Sequence, residues 1–301
     1  MRILVVTVIA AGAVASLAAG AANAPQVVSK IKVSPVAAPC AAAGGGGFVW
    51  VSEYGAPFLL KINPETNKVI ARTGIGDGAC GLGYGAGSLW IEDTSSNTVS
   101  RVSARTGKRT AAIRVGSQPY DATFAYGAAW ATAHTQGDVE RIDPARNKVV
   151  KRWPLGSPVG IVGAFGSIWA AGSDAVLRID PTTNSVLARI AVAGGGWTAA
   201  SADAIWVTAS AGLVRIDPAG NDVAATIPFG AGGGALGDPA VVAGKIWLPK
   251  IRENRIAIVD PATNTVSSTL KVGAGPFVVT EINGEAWIPS WKGSDIWRVR
   301  P

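Results

Sequence analysis

The sequence is poor in the residues on which many catalytic and cofactor sites depend. Its 301 residues include one histidine, His134, and two cysteines, Cys40 and Cys80. A single histidine excludes the H-E-x-x-H zinc motif, and the chain contains neither a P-loop nor a C-x-x-C-H haem motif. Charged residues make up 16% of the chain, below the usual quarter of a soluble domain. Glycine is abundant at 38 residues, and together with many valines, threonines and tryptophans it favours a β protein with tight turns.

Residues 1–24 have the features of a cleaved signal peptide. A short basic start precedes an apolar run over residues 3–17, and residues 22–24 read Ala-Asn-Ala, which matches the A-x-A cleavage pattern. A membrane anchor is the alternative, but the run is short and no basic stop-transfer flank follows it. We therefore expect a mature chain of residues 25–301 that is periplasmic or secreted and has no membrane span.

Seven tryptophans recur at intervals of 37 to 41 residues. Each follows a turn of small residues and begins a strand-like run, as in GGFVWVS and AGSLWIE. The repeated tryptophans are Trp50, Trp90, Trp130, Trp169, Trp206, Trp247 and Trp287. A position shared by every repeat serves the common framework, so we expect these side chains to be buried between sheets and not to bind a ligand.

A second mark, a turn sequence such as RIDPARN, follows the tryptophan in six of the seven repeats. Proline presets φ for a type I turn, and the preceding aspartate can accept hydrogen bonds from the turn backbone. The position three residues after that of the proline is occupied by asparagine or glycine, which tolerate a positive φ. The residues at this position are Asn67, Gly107, Asn147, Asn184, Asn221 and Asn264. Such turns join antiparallel strands, and four short strands in about 40 residues are typical of a propeller blade.

The two ends of the chain indicate how the ring of blades closes. Seven blades of about 40 residues need about 280 residues, close to the length of residues 25–301. The seventh repeat ends at Pro301 before its fourth strand, while residues 27–33 resemble the fourth strands of other repeats. We predict an all-β, seven-bladed β-propeller in a single domain, in which residues 27–33 pair near residues 296–299 and complete the last blade.

The repeats resemble those of the YVTN-type and virginiamycin B (streptogramin) lyase-like propellers of bacteria. GFVWVSEYGAPFLLKINPETNKVIARTGIG and GSLWIEDTSSNTVSRVSARTGKRTAAIRVG carry the closest likeness. The resemblance implies the same fold over the whole mature chain. It also implies a site near the centre of one face, where the family's lyase opens an ester-linked macrocycle with histidines, a carboxylate and Mg²⁺. This sequence offers one histidine, His134, for such chemistry.

We expect function on the propeller face that carries the loops into each blade and the loops between second and third strands. The leading hypothesis is an exported, monomeric propeller, without a cofactor, that binds a small polar ligand or a protein partner there. The candidate ligand-binding residues, which we expect in these loops, are Glu53, Tyr54, Glu92, Asp93, Tyr120, Asp121, His134, Trp197, Asp238 and Trp291. An apolar surface formed by the aromatic residues Tyr54, Tyr120, Trp197, Phe277 and Trp291 would favour this hypothesis.

The alternative is a lyase-like or lactonase-like enzyme that acts on a cyclic ester. It would use a carboxylate and a divalent cation such as Mg²⁺, and His134 is a candidate catalytic residue. Converging oxygens of Glu53, Glu92 and Asp93 would favour this alternative. No metal site is assigned from the sequence, because no D-x-D-x-D-G loop supports one.

A formal net charge of +7 does not by itself indicate a nucleic-acid partner. A basic residue recurs two positions before the turn residue of six repeats, which spreads these charges around the ring: Lys61, Arg101, Arg141, Arg178, Arg215 and Arg298. A nucleic-acid-binding protein would group its basic residues on one face, with aromatic residues for stacking. We therefore do not expect nucleic-acid binding.

Cys40 and Cys80 hold equivalent positions in adjacent repeats, in the loops that we expect to lead into blades 1 and 2, each ten residues before a repeated tryptophan. Inner strands of neighbouring blades converge on the channel, and an exported chain lies where disulfides persist. We expect a disulfide between them. Two buried thiols are the alternative if the Cα atoms lie too far apart.

Overall fold

The computed structural model describes residues 24–229 and 235–301. Within these ranges the chain forms 28 strands, arranged in seven antiparallel four-stranded sheets, and one 3₁₀ turn at Ile251–Glu253. Residues 1–23, which hold all but the last position of the expected signal peptide, lie outside the described residues. The described part contains no helix long and apolar enough to cross a membrane.

Blades 1 to 6 each use four consecutive strands, and blade 7 uses the last three strands together with β1. Blades 1 to 3 consist of β2 (Pro39–Gly45), β3 (Phe48–Glu53), β4 (Phe58–Asn63), β5 (Lys68–Gly74), β6 (Ala79–Gly85), β7 (Ser88–Asp93), β8 (Thr98–Ser103), β9 (Arg109–Arg114), β10 (Pro119–Ala125), β11 (Ala128–Ala133), β12 (Asp138–Asp143) and β13 (Lys148–Pro154). Blades 4 and 5 consist of β14 (Ile161–Ala164), β15 (Ser167–Ala171), β16 (Ala175–Ile179), β17 (Val186–Ala191), β18 (Thr198–Ala200), β19 (Ile205–Ala209), β20 (Gly212–Asp217) and β21 (Asp222–Ile227). Blades 6 and 7 consist of β22 (Ala240–Val242), β23 (Lys245–Lys250), β24 (Arg255–Asp260), β25 (Thr265–Lys271), β26 (Thr280–Ile282), β27 (Glu285–Ser290), β28 (Asp295–Arg300) and β1 (Gln26–Lys32).

The ring closes through pairing of the two ends of the chain, as the sequence predicts. Strand β1 is the outer strand of blade 7 and runs antiparallel to β28, with Val27 opposite Val299 and Ile31 opposite Ile296. The first strand of each blade is innermost, and the innermost strands of blades 1 and 7 are in contact. The protein is therefore a closed seven-bladed β-propeller.

The repeated tryptophans form the core between blades, which confirms the prediction of a framework role. All seven have at most 1% of their surface exposed. Trp50 of blade 1, for example, packs in one apolar cluster with Leu89 and Ile91 of blade 2. In the first four blades the indole Nε1 also donates to the carbonyl oxygen five residues earlier, at 3.0 to 3.3 Å. The repeated tryptophan thus fills the space between blades throughout the ring, and in the first four blades it also ties the indole to the backbone of its own blade.

The turn between the third and fourth strands has the conformation that the sequence predicts. The five repeated asparagines have φ between 50° and 63°, and Gly107 has φ of 71°. In blade 3, Asp143 Oδ1 accepts a hydrogen bond from the Ala145 amide at 2.8 Å, which fixes the start of the turn. In blades 1 and 3 to 6 these side chains therefore stabilise the connection to the outer strand.

The two cysteines form a disulfide, Cys40–Cys80, with their Cα atoms 5.1 Å apart. Both residues lie inside inner strands, β2 and β6, and not in the loops where the sequence analysis placed them. The bond therefore joins blade 1 to blade 2 at the channel wall, on the face that carries the candidate site.

Candidate functional site

The central channel is lined unevenly, because the inner strands differ in length. Those of blades 1 to 3 have seven residues, whereas those of blades 4 to 7 have three or four. Tyr120 and Asp121 therefore lie within β10 and not in a loop, which corrects the sequence-based placement. Trp197 and Asp238 precede the short strands β18 and β22 and do lie in loops, as predicted.

Glycine allows close approach of the inner strands near the channel mouth. A Cβ atom added at Gly81 would lie 2.5 Å from the Tyr120 carbonyl oxygen, and one added at Gly160 would lie 2.7 Å from the Trp197 Cα. These positions bring the backbones of Tyr120 and Trp197 against neighbouring blades. Because Gly81 and Gly160 have no side chain, the backbones of Tyr120 and Trp197 fit beside them, and both aromatic side chains lie at the channel mouth.

Five half-buried aromatic side chains meet at this mouth and form what we call the aromatic cup. Its members come from blades 1, 3, 5 and 7: Tyr54, Tyr120, Trp197, Phe277 and Trp291. Together with Cys80 and Thr94 they line a cavity of about 240 Å³. These are the aromatic residues that the sequence analysis named as a binding surface, and the structure brings all five together.

The rings of the aromatic cup stand at steep angles to their neighbours. Trp197 and Phe277 have ring centroids 5.2 Å apart and planes at 80°, and Phe277 and Trp291 have centroids 5.3 Å apart and planes at 81°. Tyr54 lies 4.9 Å from Trp291 with an angle of 40° between the ring planes. Such an arrangement makes the walls of a concave site and not a flat stacking platform.

His134 supports the cup from the side. Its imidazole stacks on the Tyr120 ring, with centroids 4.5 Å apart and an angle of 16°. Its Nδ1 lies 3.2 Å from the Pro158 carbonyl oxygen, which can only accept, so this nitrogen carries the proton. His134, Tyr120 and Trp197 also line a neighbouring cavity of about 500 Å³ on the same face, with Gly194 to Gly196 as its floor. His134 therefore holds the Tyr120 ring, one wall of the cup, in place by stacking on it.

Three candidate carboxylates are buried in strands, contrary to their expected place on exposed loops. Glu53 ends β3, and Glu92 and Asp93 end β7, each with at most 1% of its surface exposed. Strand residues point alternately to opposite faces, and here these side chains enter the packed layers between blades. Asp93 Oδ2 accepts hydrogen bonds from Thr98 and Ser100 at 2.8 and 2.6 Å.

Burial raises the pKa of Glu53, of Glu92 and of Asp93. The pKa of Glu92 lies well above its usual value, because its environment is closed and Asp121 and Asp93 add negative charge. Among the residues that the structure describes, neither of its carboxyl oxygens has a hydrogen-bond partner. Over residues 24–229 and 235–301, no group of three or more His, Cys, Asp or Glu side chains is arranged to hold a metal ion. The side chains of Glu53, Glu92 and Asp93 therefore lie inside the packed protein and do not line the cavities at the channel mouth.

Two other carboxyl groups line the channel next to the cup. Asp121 and Asp238 face a channel cavity of about 290 Å³, which shares Cys80 and Trp197 with the cup. The two oxygens of Asp121 accept hydrogen bonds from the Ala122 and Ile161 amides at 2.9 and 3.0 Å. Desolvation raises the pKa of Asp121 to about 7. Burial, followed by the charge of Asp121, raises the pKa of Asp238 well above its usual value.

The sequence carries a signal for this pair that the analysis of motifs missed. Asp121, Trp197 and Asp238 each stand nine residues before a repeated tryptophan. They occupy one position in blades 3, 5 and 6, and that position faces the channel. Comparison of this single position across the repeats distinguishes Asp121 and Asp238, which line the channel, from Glu53, Glu92 and Asp93, which do not.

The fold and this site define a seven-bladed β-propeller with an aromatic, concave site at one mouth of its channel. A family model described as a repeat of unknown function (DUF6923) matches residues 70–212. These residues run from β5 to the start of β20. No curated protein matches the chain in sequence.

Solved structures share the whole fold. Virginiamycin B lyase from Staphylococcus aureus, a catalytically inactive histidine-to-alanine variant with quinupristin, is 15% identical, with a TM-score of 0.78 over 92% of this chain and 100% of that chain. Kuenenia stuttgartiensis hydrazine synthase is 14% identical, with a TM-score of 0.75 over 89% and 97% of the two chains. BamB from Moraxella catarrhalis is 12% identical, with a TM-score of 0.67 over 92% and 100%. The likeness to virginiamycin B lyase confirms the resemblance at the level of the fold.

Proposed function

We propose that this chain is an exported binding protein whose aromatic cup receives a small ligand or a side chain of a partner protein. The observation that carries the proposal is the meeting of five half-buried aromatic side chains from four blades around one cavity. Ligand sites are concave and mainly apolar, with a few polar groups at fixed positions. The cup has this composition, and the sequence of residues 1–24, which has the features of a signal peptide, supports the export.

The cup differs from the tryptophan framework in a way that supports binding. The framework tryptophans are almost fully buried, so their surface is already satisfied by packing. The cup residues keep part of their aromatic surface open although burial of that surface would stabilise the fold. The similar virginiamycin B lyase was solved with quinupristin, which shows that a propeller of this fold can hold an organic ligand.

The three carboxylates whose convergence would favour the alternative enzyme do not line a cavity at the channel mouth. A metal-dependent lyase or lactonase needs accessible carboxylate oxygens at the channel face, and Glu53, Glu92 and Asp93 are buried. His134 makes its contacts with Tyr120 and the Pro158 carbonyl. The binding hypothesis is therefore the one that the site supports.

The experiment is a ligand screen by thermal shift on residues 25–301, followed by titration of each hit. We expect Trp197→Ala and Trp291→Ala to weaken binding of a hit at least tenfold. Tyr126→Ala is the matched control, because Tyr126 is an aromatic residue outside the cup with 45% of its surface exposed. Equal affinity of a hit for the wild type and for the Trp197→Ala, Trp291→Ala double variant would contradict the proposal.

A further inference from the structure

The aromatic rings of the cup lack the cations that cover other aromatic rings in this propeller. Lys61 lies 3.7 Å from the Phe48 centroid, and the Arg101 guanidinium lies 4.8 Å from the centroid of Trp90. Four further framework tryptophans have an arginine in the same place. Within the described residues, no lysine or arginine lies over a ring of the cup. The electron-rich faces of the cup are therefore open to a cation from outside the chain.

The side chains that line the cup would not repel a positive guest. The residues that line the cup carry no basic side chain. The channel cavity that shares Trp197 with it contains the carboxyl groups of Asp121 and Asp238. Burial raises the pKa of Asp121 to about 7. The carboxyl groups of Asp238 and Glu92 lie near enough to interact with Asp121 electrostatically. A cation that enters the cup would favour the ionised form of Asp121.

Basic residues do occur near the rim of this face. Lys250 is held by Glu253 in an ion pair of 2.6 Å, so its charge is already balanced. Lys292 follows Trp291 and is exposed to solvent, where its charge is screened. Neither residue lines the cup. The interior of the cup therefore presents aromatic faces without a basic side chain, and the carboxyl groups of Asp121 and Asp238 lie in the neighbouring channel cavity.

We propose that the aromatic cup binds a quaternary or N-alkylated ammonium group, with the aromatic rings as its walls and the acidic channel beside it. This inference rests on the proposed binding function and names the chemical class of the ligand. The steep angles between Trp197, Phe277 and Trp291 suit a compact, rounded group better than a flat ring. Aromatic cages of this type recognise choline-like and methyl-lysine-like cations.

Alkylation of the ammonium group matters because the cup offers few hydrogen-bond acceptors. A primary ammonium would lose its hydrogen bonds to water on entering an apolar cavity, at a high cost in free energy. The Thr94 hydroxyl, the one hydroxyl in the lining besides those of the tyrosines, already donates to the Pro119 carbonyl oxygen at 2.7 Å. A cation whose charge is surrounded by methyl groups avoids this cost and keeps its attraction to the aromatic rings.

The experiment compares choline with 3,3-dimethylbutan-1-ol, which has the same shape but no charge. Titration of residues 25–301 is followed by NMR and by tryptophan fluorescence. We expect choline to bind about tenfold more tightly than the neutral alcohol, which corresponds to the usual strength of cation–π attraction. Trp291→Leu keeps an apolar wall but removes an aromatic face, so it should abolish this preference. Tyr126→Leu, outside the cup, should leave the preference unchanged.

The outcomes separate this inference from the proposed function. Equal binding of choline and the neutral alcohol would overturn the ammonium inference and leave an apolar binding cup. Absence of choline binding would also overturn the inference, while hits from the ligand screen that depend on Trp197 would still support the binding function. A choline preference that persists in Trp291→Leu would show that the cation binds elsewhere, and would overturn the assignment to the cup.

Discussion

Arg298 of blade 7 donates a hydrogen bond from Nη1 to Asn67 Oδ1 of blade 1, at 3.0 Å, across 231 residues of sequence. The same contact joins four further pairs of adjacent blades, from an arginine to the turn asparagine and to the turn proline carbonyl of the next blade. These pairs are Arg101 with Asn147, Arg141 with Asn184, Arg178 with Asn221, and Arg215 with Asn264. The repeated basic residues therefore bind the ring together, which accounts for their even distribution.

The contact between arginine and asparagine is missing at two junctions between blades. Blade 2 has Gly107 in place of the turn asparagine, and the facing residue of blade 1 is Lys61 instead of arginine. Blade 7 has no turn between β28 and β1, because these strands come from opposite ends of the chain. The corresponding residue of blade 6 is Ile258, which lines a cavity with Pro25 and Pro301. At both junctions the arginine and the turn asparagine are therefore absent together.

We predict that Arg178→Met lowers the free energy of unfolding by about 1.5–3 kcal/mol, the usual range for hydrogen bonds to a charged group. Methionine keeps an apolar side chain over Trp169 but cannot donate to Asn221 or the Pro218 carbonyl. Lys61→Met is the control, because Lys61 faces a turn without asparagine and should cost less. Denaturant titrations of both variants provide the measurement. An equal loss in the two variants would contradict a role for the hydrogen bonds.

We predict that removal of residues 25–34 opens the ring and causes aggregation, because it exposes the edge of β28. A milder change tests the same pairing. Ile31→Ala should lower stability by about 2–5 kcal/mol, since Ile31 is buried in a cluster with Ile296 and Trp287. Val28→Ala is the control in the same strand, because Val28 is exposed and should cost little. A truncated protein that stays monomeric with an unchanged melting temperature would rule out this closure.

We predict that the chain, once exported, contains no free thiol. The Cys40–Cys80 bond closes a loop of about 41 residues, for which chain entropy gives a stabilisation of roughly 4 kcal/mol. Mass spectrometry after alkylation of the unreduced, denatured protein should find no modified cysteine. The Cys40→Ser, Cys80→Ser double variant should melt at a lower temperature. Two alkylated cysteines in protein purified without reductant would disprove the bond in the exported chain.

We predict that Glu92 makes the protein less stable as the pH rises. Its pKa is raised in the folded state, so above the ordinary glutamate pKa of about 4.3 the unfolded chain loses a proton that the folded protein keeps. Stability is therefore greatest below that value and falls as the pH rises towards the folded-state pKa. Glu92→Gln should reduce this fall, because one of the groups with a raised pKa is then absent, and denaturant titrations between pH 4 and pH 8 can measure the difference.

Glu65→Gln is the control for the pH experiment, because Glu65 is exposed on a turn of blade 1. The difference in stability between this variant and the wild type should not depend on pH. A Glu92→Gln variant that retains the wild-type pH dependence would show that Glu92 is not the group responsible. Asp121 and Asp238, whose pKa values are also raised, would then be the next residues to replace.

The sequence alone determined the number of blades, the buried tryptophans, the turn conformation at residues such as Asn147 and Asn184, and the closing role of β1. These features follow from local chemistry repeated at a constant spacing, such as proline before an asparagine with positive φ. A repeated sequence pattern contains only the features that all blades have in common. It therefore reveals the framework well and says little about a site built from its exceptions.

Only the tertiary structure decided which polar and aromatic residues meet. Glu92 and Asp121 look alike in sequence, yet one is sealed between blades without a hydrogen-bond partner and the other faces the channel. Tyr54 and Trp291 touch across most of the chain. The length of each inner strand and the direction of each side chain at the channel mouth set these outcomes. Both depend on packing between blades, because the position of a side chain relative to the ring axis exists only once the ring has closed.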